Sequence, residues 1–129
     1  VREAVKDVLG SNSGVHLTEP IAFEPFAALL RRAHFLLTDS GGIQEEASIL
    51  GKPVLVMREH TERGEAIRGG NAKLVGRNRE NIVREARALL SDPAYHAKLA
   101  KTHTAFGDGT ASVKIVEAVS NFLTRTTTA

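Results

Sequence analysis

The alternation of short apolar runs with helical stretches is the feature that most constrains how this chain can fold. The runs Phe35–Asp39 (FLLTD) and Pro53–Met57 (PVLVM) are apolar at consecutive positions rather than at every second one. Strands of this kind are buried on both faces, as in parallel sheets that helices cover on both sides. The sequence therefore predicts an α/β fold with a parallel sheet and helices on both faces.

A pass along the 129 residues shows no internal repeat and no linker, so we expect one domain over 1–129. Proline, glycine and N-cap signals divide the chain into strands and helices. We expect four strands, at 15–19, 35–39, 53–57 and 72–76. The expected helices are 2–9, 24–34, 41–51, a short one within 61–70, 77–92, 93–103 and about 110–123.

Composition excludes several classes of function. With 17 basic and 15 acidic side chains, the formal charge of +2 is too small to predict a nucleic-acid or membrane partner. No apolar run approaches the length of a membrane span, and the chain has no cysteine, so a reducing, cytoplasmic location is expected. The five histidines lack the spacing of metal ligands, so we expect no metal and no cofactor.

A glycine turn after the second predicted strand is the best candidate for a binding site. Ser40, Gly41 and Gly42 follow Asp39, at the carboxyl end of a strand, where ligands bind in open α/β sheets. Paired glycines let an anion approach the backbone, and the first N–H groups of the following helix point toward it. The alternative is a plain turn in which Ser40 is only an N-cap.

Glu46 follows Gly42 by four residues and therefore lies one helical turn deeper on the same face. A carboxylate at that position could accept hydrogen bonds from a ribose diol while the helix start holds phosphate. Alternatively, Gln44, Glu45 and Glu46 only complement the helix dipole. We favour that interpretation for Glu45, which we expect to point to solvent.

Two further side-chain types are candidates at the same edge of the sheet. Arg58 and Arg63 follow the next strand and could neutralise a diphosphate with planar, bidentate donors, or pair with neighbouring glutamates instead. Phe26 begins a helix after the first predicted strand, where its ring could stack on a base. A single phenylalanine at helical spacing is more often a core residue.

The stretch TDSGGIQEEASILGKPVLVMREHTER, followed by KLVG and FGDGTAS, resembles the carboxyl-terminal domain of the non-hydrolysing UDP-N-acetylglucosamine 2-epimerases. The resemblance covers essentially the whole chain. It implies a Rossmann-like domain that corresponds to the carboxyl-terminal half of a GT-B fold without its first strands. In such enzymes, UDP-N-acetylglucosamine and UDP-N-acetylmannosamine interconvert by elimination and re-addition of UDP.

The resemblance also assigns roles to residues of this chain. It implies that Ser40, Gly41 and Gly42 hold the diphosphate, Glu46 the ribose hydroxyls, Phe26 the uracil region and Arg63 the nucleotide-sugar phosphates. The family's acid and base groups have no counterpart here, so the partners expected are UDP or UDP-N-acetylglucosamine and a missing amino-terminal domain. The full-length protein is expected to be a homodimer, and this chain alone is expected to be inactive.

Two alternatives to the epimerase interpretation stay open. A donor-nucleotide domain of a GT-B glycosyltransferase would have the same UDP site with a different acceptor chemistry. A non-catalytic module would keep affinity for UDP and lack any reaction. The resemblance also implies a chain that exposes apolar sheet edges, so we expect self-association or dependence on the missing portion.

Overall fold

The computed structural model describes residues 2–127, which form seven helices and three strands. The elements are α1 (Arg2–Leu9), α2 (Phe23–Arg32), β1 (Leu36–Thr38), α3 (Gly41–Leu50), β2 (Val54–Val56), α4 (Gly64–Gly69), β3 (Ala72–Leu74), α5 (Arg79–Ser91), α6 (Pro93–Leu99) and α7 (Ala111–Thr127). Within this described part of the chain, no helix combines the length and apolar character that crossing a membrane requires.

The strands form one parallel sheet in the order β1-β2-β3, with Leu55 of the central strand opposite Leu37 and Lys73. A helix follows each strand along the chain: α3 follows β1, α4 follows β2 and α5 follows β3. This arrangement confirms the α/β class expected from the consecutive apolar positions, because every side chain of β2 is buried.

The core lies in two layers, one on each face of the sheet. Val54 and Val56 face a cluster that includes residues of α3 and α4, whereas Leu55, between them, faces a cluster that includes residues of α5 and α6. Successive side chains of a strand point to opposite faces, so an apolar run without alternation fills both layers. The expectation of helices on both faces is therefore confirmed.

The strand predicted at 15–19 is wrong. The segment has no strand partner among the described residues, and its largest apolar side chain, Leu17, is 48% exposed. A β-branched run forms a strand only where a neighbouring strand can accept its backbone hydrogen bonds. The helix predicted at 93–103 is also shorter than expected, because the chain turns away after Leu99 and the His103 N–H donates to the Ser48 carbonyl at 3.3 Å.

Helix α3 begins and ends where its glycines and serine predict. Ser40 is the N-cap residue in extended conformation, and Gly51 ends the helix in the left-handed conformation with φ 62°. The Lys52 N–H then donates to the Ala47 carbonyl at 2.9 Å, which closes the turn into β2. The carboxyl end of β1 is thereby joined to a helix whose first turn stands at the edge of the sheet.

Candidate functional site

The first turn of α3 presents backbone donors that the fold itself does not use. The N–H groups of Gly41, Gly42 and Ile43 have no acceptor within the helix, and no other hydrogen bond of the described residues takes them. The Ser40 side chain does not cap the helix; the Ser40 N–H instead donates to the Thr38 hydroxyl at 3.0 Å. Ser40 therefore occupies the N-cap position without capping the helix through its side chain, and its hydroxyl makes no hydrogen bond with the described residues.

The space around the two glycines differs. A methyl group placed on Gly42 would meet no atom within 4 Å, so the helix start is open on that side. A methyl group on Gly41 would lie 3.8 Å from the Arg63 guanidinium. The helix amino terminus and an arginine thus stand next to each other, which is a favourable arrangement for binding an anion.

Arg63 is held at this position by contacts from α3. Its Nε donates to the Glu45 carboxylate, while one of its terminal nitrogens lies 3.8 Å from Glu62. The expectation that Glu45 only points to solvent is wrong, because the carboxylate faces the segment after β2. Glu45 thus orients the guanidinium, and its terminal nitrogen Nη2 would lie 3.8 Å from a methyl group on Gly41.

The environment of the Gln44 side chain also differs from the prediction. The prediction that it only complements the helix dipole is wrong, because its side chain is fully buried. The side-chain amide donates to the Ser40 carbonyl at 3.2 Å and accepts from the Thr61 hydroxyl at 2.8 Å. The spacing of Gln44, Ala47 and Ser48 is the sequence signal for this burial, because the three residues share one face of α3 and that face packs inward.

Glu46 is half-buried and makes no hydrogen bond or ion pair with the described residues. It lies one turn after Gly42 on α3, as the spacing predicted. A partly buried carboxylate without a protein partner retains its capacity to accept hydrogen bonds, which suits a diol.

Phe26 lies in the first turn of α2 and lines an open hollow of about 610 Å³ with Thr18, Glu19, Pro20 and Ile21. The ring is half-buried, so part of it faces this hollow. Helix α2 packs against α3, which carries the glycine turn. Phe26 is therefore only partly a core residue. Arg58, by contrast, is exposed. Unlike Arg63, it forms no ion pair or hydrogen bond with the described residues.

The downstream FGDG segment has a structural role. Phe106 packs against the core layer formed with α3 and α4. The Asp108 carboxylate accepts hydrogen bonds from the Thr110 hydroxyl at 2.5 Å and from Lys114 at 2.9 Å, and these bonds lower its pKa to about 2. The segment thus orients the chain at the start of α7. Within residues 2–127, no group of three or more His, Asp or Glu side chains is arranged to hold a metal ion.

A family model described as UDP-N-acetylglucosamine 2-epimerase matches residues 1–120. Among curated relatives, the probable UDP-N-acetylglucosamine 2-epimerase of Ralstonia solanacearum is 47% identical over 122 residues, covering 95% of this chain and 32% of the relative. The UDP-N-acetylglucosamine 2-epimerase of Bacillus subtilis is 48% identical over 117 residues, covering 91% and 31%. The chain therefore spans about a third of the length of these relatives and corresponds to a carboxyl-terminal portion of them.

Solved structures of the same family also resemble this chain. The UDP-GlcNAc 2-epimerase of Neisseria meningitidis bound to UDP-GlcNAc superposes with a TM-score of 0.88 at 46% identity, covering 94% of this chain and 33% of that one. The S. aureus MnaA structure with UDP also gives a TM-score of 0.88, at 38% identity, with 95% and 33% covered. These matches confirm the expected Rossmann-like part of a GT-B architecture.

Proposed function

The chain belongs to the UDP-N-acetylglucosamine 2-epimerase family, and we propose that it is the part of such an enzyme that binds the UDP portion of the substrate. The complete enzyme interconverts UDP-N-acetylglucosamine and UDP-N-acetylmannosamine by eliminating UDP and adding it back to the other face. In this proposal the residues of this chain bind and orient the leaving group, and they include no catalytic acid or base.

One observation carries the proposal: the unused N–H groups of Gly41, Gly42 and Ile43 stand beside the Arg63 guanidinium. Together they form a cradle of donors for an anion with several oxygens, such as a diphosphate. As the bond between sugar and diphosphate breaks, negative charge grows on the leaving group. Donors that are already aimed at that group stabilise the charge without reorganising.

The neighbouring groups complete a nucleotide site in the proposal. Ser40 adds a hydroxyl to the diphosphate contacts, and Glu46 accepts hydrogen bonds from the ribose diol. Phe26 contacts the uracil at the hollow that it lines with Thr18 and Ile21. The predicted ligand contacts in this proposal are Ser40, Gly41, Gly42, Glu46, Phe26 and Arg63.

The remaining parts of the proposal concern the longer protein. We expect an amino-terminal domain that supplies the acid and base groups, a homodimer of the full-length protein and a cytoplasmic location. Without the amino-terminal domain, the chain binds UDP and does not epimerise it. A coupled assay with the 129-residue chain that detected epimerisation would contradict this part.

Calorimetry tests the UDP site directly. We expect the chain to bind UDP and to bind uridine, which lacks phosphate, at least about tenfold more weakly. Ser40→Ala and Glu46→Ala should each weaken UDP binding by about three- to tenfold, because each removes hydrogen bonds worth roughly 0.5–1.5 kcal/mol. Thr104→Val is the control, since Thr104 is exposed and no hydrogen bond among the described residues joins its side chain to the site residues.

Absence of UDP binding by the wild-type chain would overturn the proposal, as would equal affinity for UDP and uridine. For the complete enzyme, release of the mannosamine isomer from UDP-N-acetylglucosamine without an acceptor supports epimerisation. Transfer of the sugar to an added acceptor would instead indicate a glycosyltransferase.

A further inference from the structure

The donors of the candidate site come from two separate segments of the chain. The glycine turn at the start of α3 supplies backbone N–H groups, and the loop after β2 supplies the Arg63 side chain. A diphosphate that contacts both segments binds well only if the two are held at a constant distance and angle. Hydrogen bonds link the two segments in the structure. This link does not use the side chain of any residue that is predicted to contact the ligand.

The link passes through Gln44 and Thr61. The Gln44 side-chain nitrogen donates to the Ser40 carbonyl at 3.2 Å, and its oxygen accepts from the Thr61 hydroxyl at 2.8 Å. The Thr61 oxygen in turn accepts from the Arg63 N–H at 3.1 Å. One unbroken chain of hydrogen bonds therefore runs from the glycine turn to the residue that bears the guanidinium.

The geometry of the peptide bond explains why the first bond matters. In a planar trans peptide the C=O and the following N–H point in opposite directions. Holding the Ser40 carbonyl toward Gln44 thus orients the Gly41 N–H away from Gln44, on the side that the open glycine turn presents. At the other end, the bond to Thr61 holds the backbone of Arg63, which is the N-cap residue of α4.

Because Gln44 is buried, no solvent molecule can replace a lost hydrogen-bond partner in this link. Gln44 is fully buried, and both its oxygen and its nitrogen are already paired. Loss of the Thr61 hydroxyl would leave the buried Gln44 oxygen and the Arg63 N–H without their partner, so the side chains would have to rearrange. A half-buried threonine therefore controls the relative position of two ligand-facing segments.

We propose that Gln44 and Thr61 are positioning residues that hold the glycine turn and Arg63 in register for a diphosphate. The inference rests on the proposed function. It assigns no ligand contact to either residue and attributes their effect to the donors at the two ends of the link.

The test uses isosteric changes at Thr61 and calorimetry with UDP. Thr61→Val removes the hydroxyl and keeps the shape, and we expect UDP affinity to fall about tenfold. Thr61→Ser keeps the hydroxyl and should restore affinity to within about threefold of wild type. Thr104→Val, at an exposed site outside the link, is the matched control and should leave affinity unchanged.

A double-mutant cycle separates positioning from general stability. If Thr61 acts partly through Arg63, the effect of Thr61→Val should shrink from about tenfold to about threefold or less when Arg63 is already alanine. A structural role alone would weaken binding by the same factor in both backgrounds. Thermal unfolding of each variant, followed by circular dichroism, shows that the variants compared are folded.

The outcomes distinguish this inference from the proposed function. Failure of wild type to bind UDP overturns the proposed function and the inference with it. Normal UDP binding by wild type and by Thr61→Val overturns the inference alone. So do additive effects in the cycle, or a Thr61→Ser variant as weak as Thr61→Val.

Discussion

At the scale of single residues, the glycine in the first turn of α3 and the glycine at its end differ in the space around them. Gly42 lies in the first turn with no atom within 4 Å of an added methyl group, whereas a methyl group on Gly51 would meet the Thr102 Cγ2 atom at 2.8 Å. Gly51 also has φ 62°, a conformation that L side chains rarely adopt. The same substitution therefore has different consequences at the two ends of one helix.

Gly42→Ala should stabilise the chain and weaken ligand binding. Alanine in a helix is favoured over glycine by about 0.5–1 kcal/mol, and the free protein has room for the methyl group. That room is where the proposed diphosphate approaches the backbone, so we expect UDP affinity to fall by about tenfold or more. Urea unfolding and calorimetry on the same sample measure both effects. Unchanged UDP affinity would place the anion elsewhere.

Gly51→Ala is the matched change at the other end of α3. We expect a loss of about 1–3 kcal/mol in the free energy of unfolding, because alanine must adopt a left-handed conformation and displace Thr102. UDP affinity of the folded fraction should change little, since Gly51 is distant from the glycine turn by the length of the helix. A stability equal to wild type in urea unfolding would contradict this prediction.

The sequence was sufficient to predict which residues lie at the start of α3 but not how the residues after them are oriented. The spacing from Gly42 placed Glu46 correctly one turn on, because helical geometry is regular. The orientations of Glu45 and Gln44 differ from prediction, because they depend on the loop after β2, with which both side chains form hydrogen bonds. A single helical pattern does not contain that tertiary information.

At the scale of elements, a network of charged and polar side chains fastens α5 and α6 to β3. The Glu85 carboxylate, almost fully buried, accepts from Lys73 at 2.7 Å and from the Tyr95 hydroxyl at 2.8 Å. The hydrogen bond from Lys73 lowers the pKa of Glu85, burial opposes this change, and the bond from Tyr95 adds to the lowering. Burial alone would lower the pKa of Lys73, but its bonds to Glu85 and Tyr95 raise it.

This network predicts how stability depends on pH. Because the folded-state pKa of Glu85 lies below the value of 4.5 for an unperturbed glutamate, its contribution is present above pH 4.5 and is lost as pH falls through the lower folded-state pKa. Glu85→Gln should cost about 1–3 kcal/mol at pH 7 and reduce the acid dependence. Urea unfolding of both proteins between acidic and neutral pH measures this difference. Parallel pH profiles would contradict it.

The start of α5 has a local signal in the sequence, whereas the strand predicted at 15–19 depended on a partner strand. Helix α5 begins at Arg79 after the Asn78 side chain accepts from the Asn81 N–H at 3.0 Å, a cap encoded within four residues. The run at 15–19 has the composition of a strand but no strand beside it among the described residues. Strand formation depends on a neighbour that composition does not reveal.

At the scale of the whole molecule, α7 exposes an apolar stripe along one side of the helix. Six of its apolar side chains are each more than half exposed: Val113, Ile115, Val116, Val119, Phe122 and Leu123. The free edge of β1 also exposes Leu37, which is 44% accessible. The described residues therefore present apolar surface both on α7 and at the edge of the sheet.

We expect the chain to self-associate as its concentration rises, as the sequence also predicted. Ile115→Lys together with Val119→Lys should reduce association, because both charges interrupt the stripe. Asn121→Lys, on another side of α7, is the control for added charge. Sedimentation velocity over a range of concentrations measures the effect. A wild-type chain that stays monomeric throughout would contradict the prediction.

Each strand pairs with the next strand along the chain, and this order affects how the protein folds during its synthesis. Since the order β1-β2-β3 is also the order of synthesis, every pairing joins segments that leave the ribosome one after the other. Contacts between close segments form quickly because little chain entropy is lost in closing the loop. All donors of the proposed diphosphate site have therefore been synthesised once α4 has emerged. If the proposed site is correct, we expect nascent-chain arrest after β3 to yield a chain that already binds UDP.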